Sequence, residues 1–410
     1  MPMDELHHIL ARLLGREVIS PNHQLLKASS QGKSILVTGA GGSIGSELCR
    51  QLILQQPAAI VLIERSEIAL YAIENELREF SALHDRAGCI NIVPILGSIR
   101  DQELVEKTIS RYSVSTIYHA AAYKQVPMLE RHVVSGIQNN ILGTQLLVHA
   151  AEKFAVENFI LISTDKAVRP VNVMGATKRF AEQILQARNA LGSHTRFSVV
   201  RFGNVLGSSG SVIPLFMKQI LRGGPVTVTH PEMTRFFMTV EEAAQLVIQA
   251  GALARGGEVF VLDMNKPIRI ADMARQLIRL MGYEVCECRQ PSACHCKNGV
   301  AIQYTGLREG EKLIEELYIG SNIAGTAHPK ITRSIEAFLD WPILQDALDK
   351  LKLASKAMDH YRIRALLAET VEGFSGRPTL LEEKEEAMPA LSETLATGLR
   401  KDPRLTVVHH

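Results

Sequence analysis

The sequence predicts an α/β protein, a doubly wound parallel sheet with a smaller C-terminal lobe. Three observations carry that prediction. An apolar run of strand type, Ser34-Ile35-Leu36-Val37, opens through a glycine-rich turn into an amphipathic segment with Leu48, Leu52 and Ile53 on one face. Short apolar runs recur at 59–63, 92–96, 116–122 and 197–202. With 410 residues and 46% hydrophobic content the chain can bury a large core, and its length suits two lobes of one architecture better than three small domains.

Taken in order, residues 1–30 read as a leader, and a nucleotide-binding lobe runs from 31 to 203. Its first strand leads into Thr38-Gly39-Ala40-Gly41-Gly42-Ser43-Ile44-Gly45. Strand, glycine turn and helix are the setting of a dinucleotide-binding, or Rossmann, fingerprint. Gly39 permits the tight turn, Gly42 lets the backbone approach a pyrophosphate, and Gly45 lets helix and strand pack closely. The amides at the helix start, around Ser43 and Ile44, donate to the phosphates. A glycine cluster can also mark nothing more than a turn, so the next strand supplies the context. It ends in Glu64, about where a carboxylate accepts hydrogen bonds from a ribose 2′-hydroxyl, and its charge repels a 2′-phosphate. That favours NAD over NADP. Arg65 keeps NADP open, because an arginine there can pair with a 2′-phosphate, although it also reads as a solvated surface charge. Ser98 and Ile99 after the third strand, and Ala120 and Ala121 after the fourth, are assigned to the same cofactor site; the small Ala run lets the backbone lie close.

A second constellation carries the reactive chemistry. Ser163-Thr164-Asp165-Lys166 is followed, ten residues after Thr164, by Met174-Gly175-Ala176-Thr177-Lys178. The thioether of Met174 exchanges no proton, so acid and base work falls to Asp165 and Lys166, a pairing that suits elimination rather than plain alcohol oxidation. The bland reading of the same pair is an exposed turn at a strand end.

These motifs occur together with His119-Ala120-Ala121-Ala122-Tyr123-Lys124, Asn140-Ile141-Leu142-Gly143-Thr144, Arg201-Phe202-Gly203-Asn204-Val205 and Thr305-Gly306-Leu307-Arg308. In that order the chain, over roughly residues 1 to 375, resembles the extended short-chain dehydrogenases called UDP-N-acetylglucosamine 4,6-dehydratases, of bacterial polysaccharide and glycoprotein glycan synthesis. Asp-Lys separates it from the dTDP-glucose dehydratases, which carry Asp-Glu there. Met174 stands where most short-chain dehydrogenases have a catalytic tyrosine, which marks the large, membrane-anchored members.

The resemblance implies an NAD-dependent lyase acting on UDP-N-acetylglucosamine. Hydride and proton leave C4, Lys166 removes the C5 proton, Asp165 protonates the departing C6 hydroxyl, and hydride returns at C6. It places Thr164, Asp165, Lys166, Met174 and Lys178 at the catalytic centre, with Lys178 also at the cofactor. Lys124, Asn204, Arg235, Arg308 and Glu311 match positions that hold sugar and UDP, and arginine suits a diphosphate because its planar donors bind in pairs. A substrate lobe at 204–330, with segments returning to the first lobe, then a helical region at 331–375 and a partly disordered tail at 376–410 complete the expected domains. Leu339, Ile343, Leu348, Leu351 and Leu353 are its expected packing positions. The resemblance also implies a homo-oligomer, dimer or higher, paired through helices of the nucleotide lobe. Two rivals stay open: a nucleotide-sugar 4-epimerase or reductase, and a non-catalytic protein that binds NAD and a nucleotide sugar.

A formal charge of +2 offers no field for nucleic acid, and no run of about 18 apolar residues spans a bilayer. The segment 6–17 resembles the stretch that follows the membrane helices of the large members. A cytoplasmic catalytic part of a protein held at the bacterial inner membrane is therefore expected. Cys286, Cys288, Cys294 and Cys296, with His295 among them, leave two readings, free thiols or a structural zinc; Cys-x-Cys spacing strains a single tetrahedral site. Cys49 and Cys89 read as core thiols.

Overall fold

The computed structural model describes residues 20–84, 90–286 and 298–377. In chain order the main strands are β1 (Ser34–Thr38), β2 (Ala59–Glu64), β3 (Asn91–Leu96), β4 (Thr116–His119), β5 (Asn158–Thr164), β6 (Arg196–Phe202), β7 (Val259–Leu262), β8 (Ile323–Gly325) and β9 (Ile331–Ser334). They stand side by side as β8-β9-β7-β6-β5-β4-β1-β2-β3. From β3 across to β7 all neighbours run parallel, while β9 is antiparallel to both β7 and β8. The sheet is thus the expected doubly wound one, with an antiparallel edge added by segments returning from the C-terminal half. The fourth strand is shorter than its apolar run: Ala120 still donates to the Thr38 carbonyl, and the Ala run then leaves the sheet as loop.

Because side chains alternate along a strand, each parallel strand from β3 across to β7 feeds two cores. Ile35 and Val37 point into one and Leu36 into the other. The principal helices are α1 (His23–Ser30), α2 (Ser43–Ile53), α3 (Glu67–His84), α4 (Gln102–Arg111), α5 (Gly143–Lys153), α6 (Val173–Ala190), α7 (Val240–Leu253), α8 (Ile270–Leu280), α9 (Trp341–Lys356) and α10 (His360–Thr370). Residues of α1, α2, α3 and α7 share the first core; those of α4, α5, α6, α9 and α10 share the second. The last stretch of the expected leader is therefore part of the lobe. Leu26 of α1 is buried, Asn22 N–H donates to Gln249 Oε1 at 2.8 Å, and the Ser29 and Tyr118 hydroxyls meet at 2.7 Å.

The smaller lobe has its own core, with Phe216, Ile220, Leu277 and Val300 packed between α8, the helix Val212–Leu221 and a three-stranded sheet of Val226–Val228, Glu284–Cys286 and Gly299–Tyr304. Among the described residues no helix is long and apolar enough to cross a membrane.

Helix α6 is buried from Val173 through Ala187. Strands β5 and β6 cover one side, and the chain's own α9 and α10 cover another. Gln183 Nε2 donates to the Thr370 carbonyl at 3.0 Å, and Arg179 Nη2 to the Ala337 carbonyl at 2.6 Å. The buried stripe of α9 is Leu344, Ala347, Leu348, Leu351 and Ala354. Ile343 and Leu353, expected to pack, are 53% and 68% exposed: at 100° per residue Leu353 falls opposite that stripe, and Ile343 falls at its margin in the first turn of the helix.

Candidate active site

The chain runs outward through β1, β2 and β3, then returns to place β4 on the other side of β1. Ligand clefts of open α/β sheets form at such a switch point, over the carboxyl ends of the strands. Two adjoining cavities, of about 190 and 370 Å³, lie there and share Gly39, Gly42, Ala120, Ala122 and Tyr123 as walls.

The smaller cavity is built by the glycine turn and the end of β2. Gly39 has φ +67°, and a Cβ on it would lie 2.8 Å from the Ala121 backbone. A Cβ on Gly45 would sit 2.0 Å from the Gly39 carbonyl oxygen, so only glycine lets α2 start this close to the turn. Gly42 caps α2 without a side chain, and Gly42, Ser43, Ile44 and Gly45 all face the larger cavity. The Glu64 carboxylate lines the smaller cavity, oriented by three backbone amides: Gly41 donates to Oε2 at 3.1 Å, and Arg65 and Ser66 each donate to Oε1 at 2.9 Å. Arg65 stacks over Tyr123, its guanidinium carbon 4.6 Å from the ring centroid, and donates to the Tyr123 hydroxyl. Ser98, Ile99, Ala120 and Ala121 line the same cavity. A cradle that any Cβ would fill, amides at a helix start and a fixed carboxylate together suit a dinucleotide.

A buried chain of hydrogen bonds holds the Ala wall. Ala121 N–H donates to Thr38 Oγ1 at 3.4 Å, Thr38 Oγ1 meets His119 Nδ1 at 2.7 Å, His119 Nε2 meets Thr144 Oγ1 at 2.9 Å, and Thr144 Oγ1 donates to the Asn140 carbonyl at 2.8 Å. The last donation leaves Thr144 to accept, which assigns the imidazole proton to Nε2 and makes Nδ1 the acceptor from Thr38. Burial, with the Lys178 charge next in importance, holds the His119 pKa down at about 3. Asn140 sits in a π-helical turn, Ile137–Leu142, and grips both backbone groups of Tyr123 as well as Thr177 Oγ1.

The larger cavity holds the reactive groups. β5 ends at Thr164, and a short 3₁₀ turn, Asp165–Ala167, follows. Thr164 Oγ1 donates to Asp165 Oδ1 at 2.9 Å; Lys166 Nζ donates to the same oxygen at 3.0 Å and to Asn204 Oδ1 at 3.2 Å. Asp165 is fully buried and its Oδ2 accepts no hydrogen bond. Asn172 caps α6 by accepting from Gly175 N–H at 2.7 Å, which sets Met174 and Lys178 one turn apart at the cavity wall. Lys178 Nζ donates to the Ile162 carbonyl at 2.6 Å, and burial brings its pKa down to about 8. A Cβ on Gly175 would fall 2.1 Å from the Lys166 carbonyl oxygen, so this glycine lets the helix lie against the Asp165–Lys166 turn.

Thr164, Lys166, Met174, Lys178, Lys124 and Asn204 line this cavity together; Asp165, buried behind Lys166, does not, nor do Arg235, Arg308 and Glu311. The Arg235 guanidinium is taken by the carbonyls of Thr234, Lys312 and Leu313. Arg308 is exposed, and its N–H donates to Glu311 Oε2 at 3.1 Å. Gln125 and the run Ser208-Ser209-Gly210-Ser211 complete the wall. That small polar run is a loop signal in the sequence and was the available clue to them.

The cysteine expectation is corrected. Cys288, Cys294, Cys296, His295 and Cys89 lie outside the described residues. Cys286 is disulfide-bonded, which removes the thiolate a zinc site needs, and among the described residues no group of three or more His, Cys, Asp or Glu could hold a metal ion. Cys49 is buried in α2, as expected of a core thiol.

The sequence model of a family described as polysaccharide biosynthesis protein matches residues 35–336. The capsular polysaccharide biosynthesis protein CapD of Staphylococcus aureus is 48% identical over 305 residues, 74% of this chain and 48% of that protein, so the chain spans about half the length of this relative. A UDP-glucose 4-epimerase of Rickettsia canadensis is 33% identical over 71% of this chain and 79% of its own length. The UDP-N-acetylglucosamine 4,6-dehydratase (inverting) of Campylobacter jejuni is 32% identical over 71% of this chain and 78% of its own.

Proposed function

This chain belongs to the polysaccharide biosynthesis protein family, and from that premise we propose that it is an NAD-dependent nucleotide-sugar 4,6-dehydratase. The substrate we assign is UDP-N-acetylglucosamine, and the product is a UDP-4-keto-6-deoxy sugar for bacterial surface glycan. The observation that carries this reading is the side-chain set at and just behind one cavity wall: Met174, which moves no proton, and the Lys166 ammonium line it, and the buried Asp165 carboxylate lies 3.0 Å behind that ammonium.

When bound, NAD supplies a carbon that takes and returns a hydride. Gly39, Gly42, Gly45 and Glu64 would hold it by the fit described above, and Glu64 would disfavour a 2′-phosphate. The chain's own residues supply the proton steps. As C4 is oxidised its hydroxyl proton leaves through a water relayed toward Lys178 or Asp165. The ketone makes the C5 proton acidic, neutral Lys166 at the cavity wall takes it, and a proton returns from Lys166 to C5 when C6 is reduced. Asp165, carrying a proton, gives it to the departing C6 hydroxyl, which leaves as water. The 3.0 Å contact lets one proton pass from the Lys166 ammonium to the Asp165 carboxylate, so the ion pair and the neutral acid–base pair interconvert without solvent. Thr164 orients Asp165 through their hydrogen bond. Lys178 stays a donor at the buried cofactor end of the wall.

The similarity to a UDP-glucose 4-epimerase favours a second reading, 4-epimerisation on the same fold. Substrate deuterated at C4 separates the two. A dehydratase gives product deuterated at C6, takes up solvent deuterium at C5 and shows no net consumption of NAD. Label returned to C4 in an epimer, accumulation of NADH, or unchanged substrate would each reject the dehydratase.

A further inference from the structure

Outside the cavity wall, a second carboxylate faces the Asp165–Lys166 turn. Glu315 is 5% exposed and does not line the cleft. Its Oε1 lies 3.9 Å from Lys166 Nζ and 3.6 Å from Arg235 Nη2, and its Oε2 is buried and accepts no hydrogen bond. The segment that carries it grips the 165–172 loop at further points. Asn172 Nδ2 donates to the Gly310 carbonyl and Lys312 Nζ to the Val168 carbonyl, each at 2.8 Å, and Arg169 pairs with Glu316. Lys166 thus stands between two carboxylates, one from its own turn and one from the substrate lobe.

We propose that Glu315 is a positioning residue for the Asp165–Lys166 pair, holding the Lys166 ammonium from the substrate-lobe side and setting the pH window in which one proton passes between those two side chains. The inference rests on the dehydratase reading for its catalytic consequence. In the transfer an N–H bond of Lys166 breaks with its electron pair left on nitrogen and an O–H bond forms on Asp165, while Glu315 stays paired with Arg235 at 3.6 Å. The charged groups facing Glu315 are Lys166, Asp165, Arg235 and Lys312; burial and the Asp165 charge raise its pKa, and the three cations oppose them. A carboxylate 3.9 Å from Lys166 Nζ acts on the proton shared by the pair as a whole. Both limbs of a bell-shaped rate profile therefore depend on it in the same direction.

In Glu315→Gln the bell of kcat against pH should move to lower pH on both limbs by at least about half a unit, a conservative share of what a unit charge about 4 Å away supplies. KM should stay within about threefold, and Glu315→Asp should bring the bell back toward the wild-type position. A Gln variant with a lower maximum and an unmoved bell would overturn the proposal. A second measurement needs neither turnover nor a folded Gln variant: the carboxyl carbon of Glu315, followed by ¹³C NMR, should titrate at higher pH in Lys166→Met than in wild type, because a cation that opposes protonation is gone. An unchanged midpoint overturns the coupling. Wild-type protein that fails the C4-to-C6 label transfer while this midpoint still moves would reject the dehydratase reading and leave the contact standing.

Discussion

Single side chains at this site are defined by what surrounds them rather than by their type. His119 is locked as the neutral Nε2–H tautomer between two threonines, and that has a thermodynamic consequence. Its folded pKa is about 3 against an ordinary 6.5, so above pH 6.5 neither folded nor unfolded chain binds the proton. Below that pH only the unfolded chain binds it, and stability drains away by up to about 1.4 kcal/mol per pH unit until about pH 3. Urea unfolding at pH 7 and pH 5 should show wild type losing about 2 kcal/mol more than His119→Asn, whatever the variant's stability at pH 7. Equal losses would mean that His119 takes up a proton in the fold. Met174 presents the opposite case, an inert group at a position where most short-chain dehydrogenases have a reactive one. Met174→Leu should stay within about threefold of wild-type turnover, whereas Lys166→Met and Asp165→Asn should each lose about a hundredfold to ten-thousandfold. A Met174→Leu loss as deep as theirs would show that the thioether contributes something the geometry does not explain.

At the level of elements, the close approach of α6 to the Asp165–Lys166 turn is the contact most sensitive to one methyl group. Gly175→Ala must push its Cβ against the Lys166 carbonyl, at a cost of about 1 to 3 kcal/mol from overpacking. Because the displaced atom belongs to Lys166, turnover should fall with stability. Gly325→Ala, where nothing lies within 4 Å, should change neither, which makes it the control for thermal melts and rates. Elements such as these were legible to different depths. Strands β1, β2, β3 and β6 could be placed from apolar runs, and the glycine spacing announced the start of α2, since both signals are local. The register of α9 misled because Ile343 and Leu353 are apolar but face solvent, and only the neighbouring helices decide which stripe is buried. Glu315 and the hold on His119 left no local mark. Each depends on partners far away in sequence, such as Lys166 and Glu315, that no periodicity connects.

Across the whole molecule, the two halves are tied through a buried ion cluster. Arg201 on β6 and Arg179 on α6 meet Glu182 on α6 and Glu336 just past β9, with contacts from 2.5 to 3.3 Å and matched charges that offset their desolvation. The same α6 that carries Met174 and Lys178 is covered by α9 and α10, helices that reach it only after the chain has passed through the small lobe. The resemblance assigns subunit pairing to helices of this lobe, yet along α6 the covering helices come from the same chain. The bracing along α6 is intramolecular and does not by itself call for a second copy. Activity per mole should stay level as the protein is diluted from micromolar to nanomolar, with sedimentation recorded over the same range. A fall in activity that tracks the parting of subunits would mean that a second copy, and not α9 and α10, braces the helix beneath the reaction.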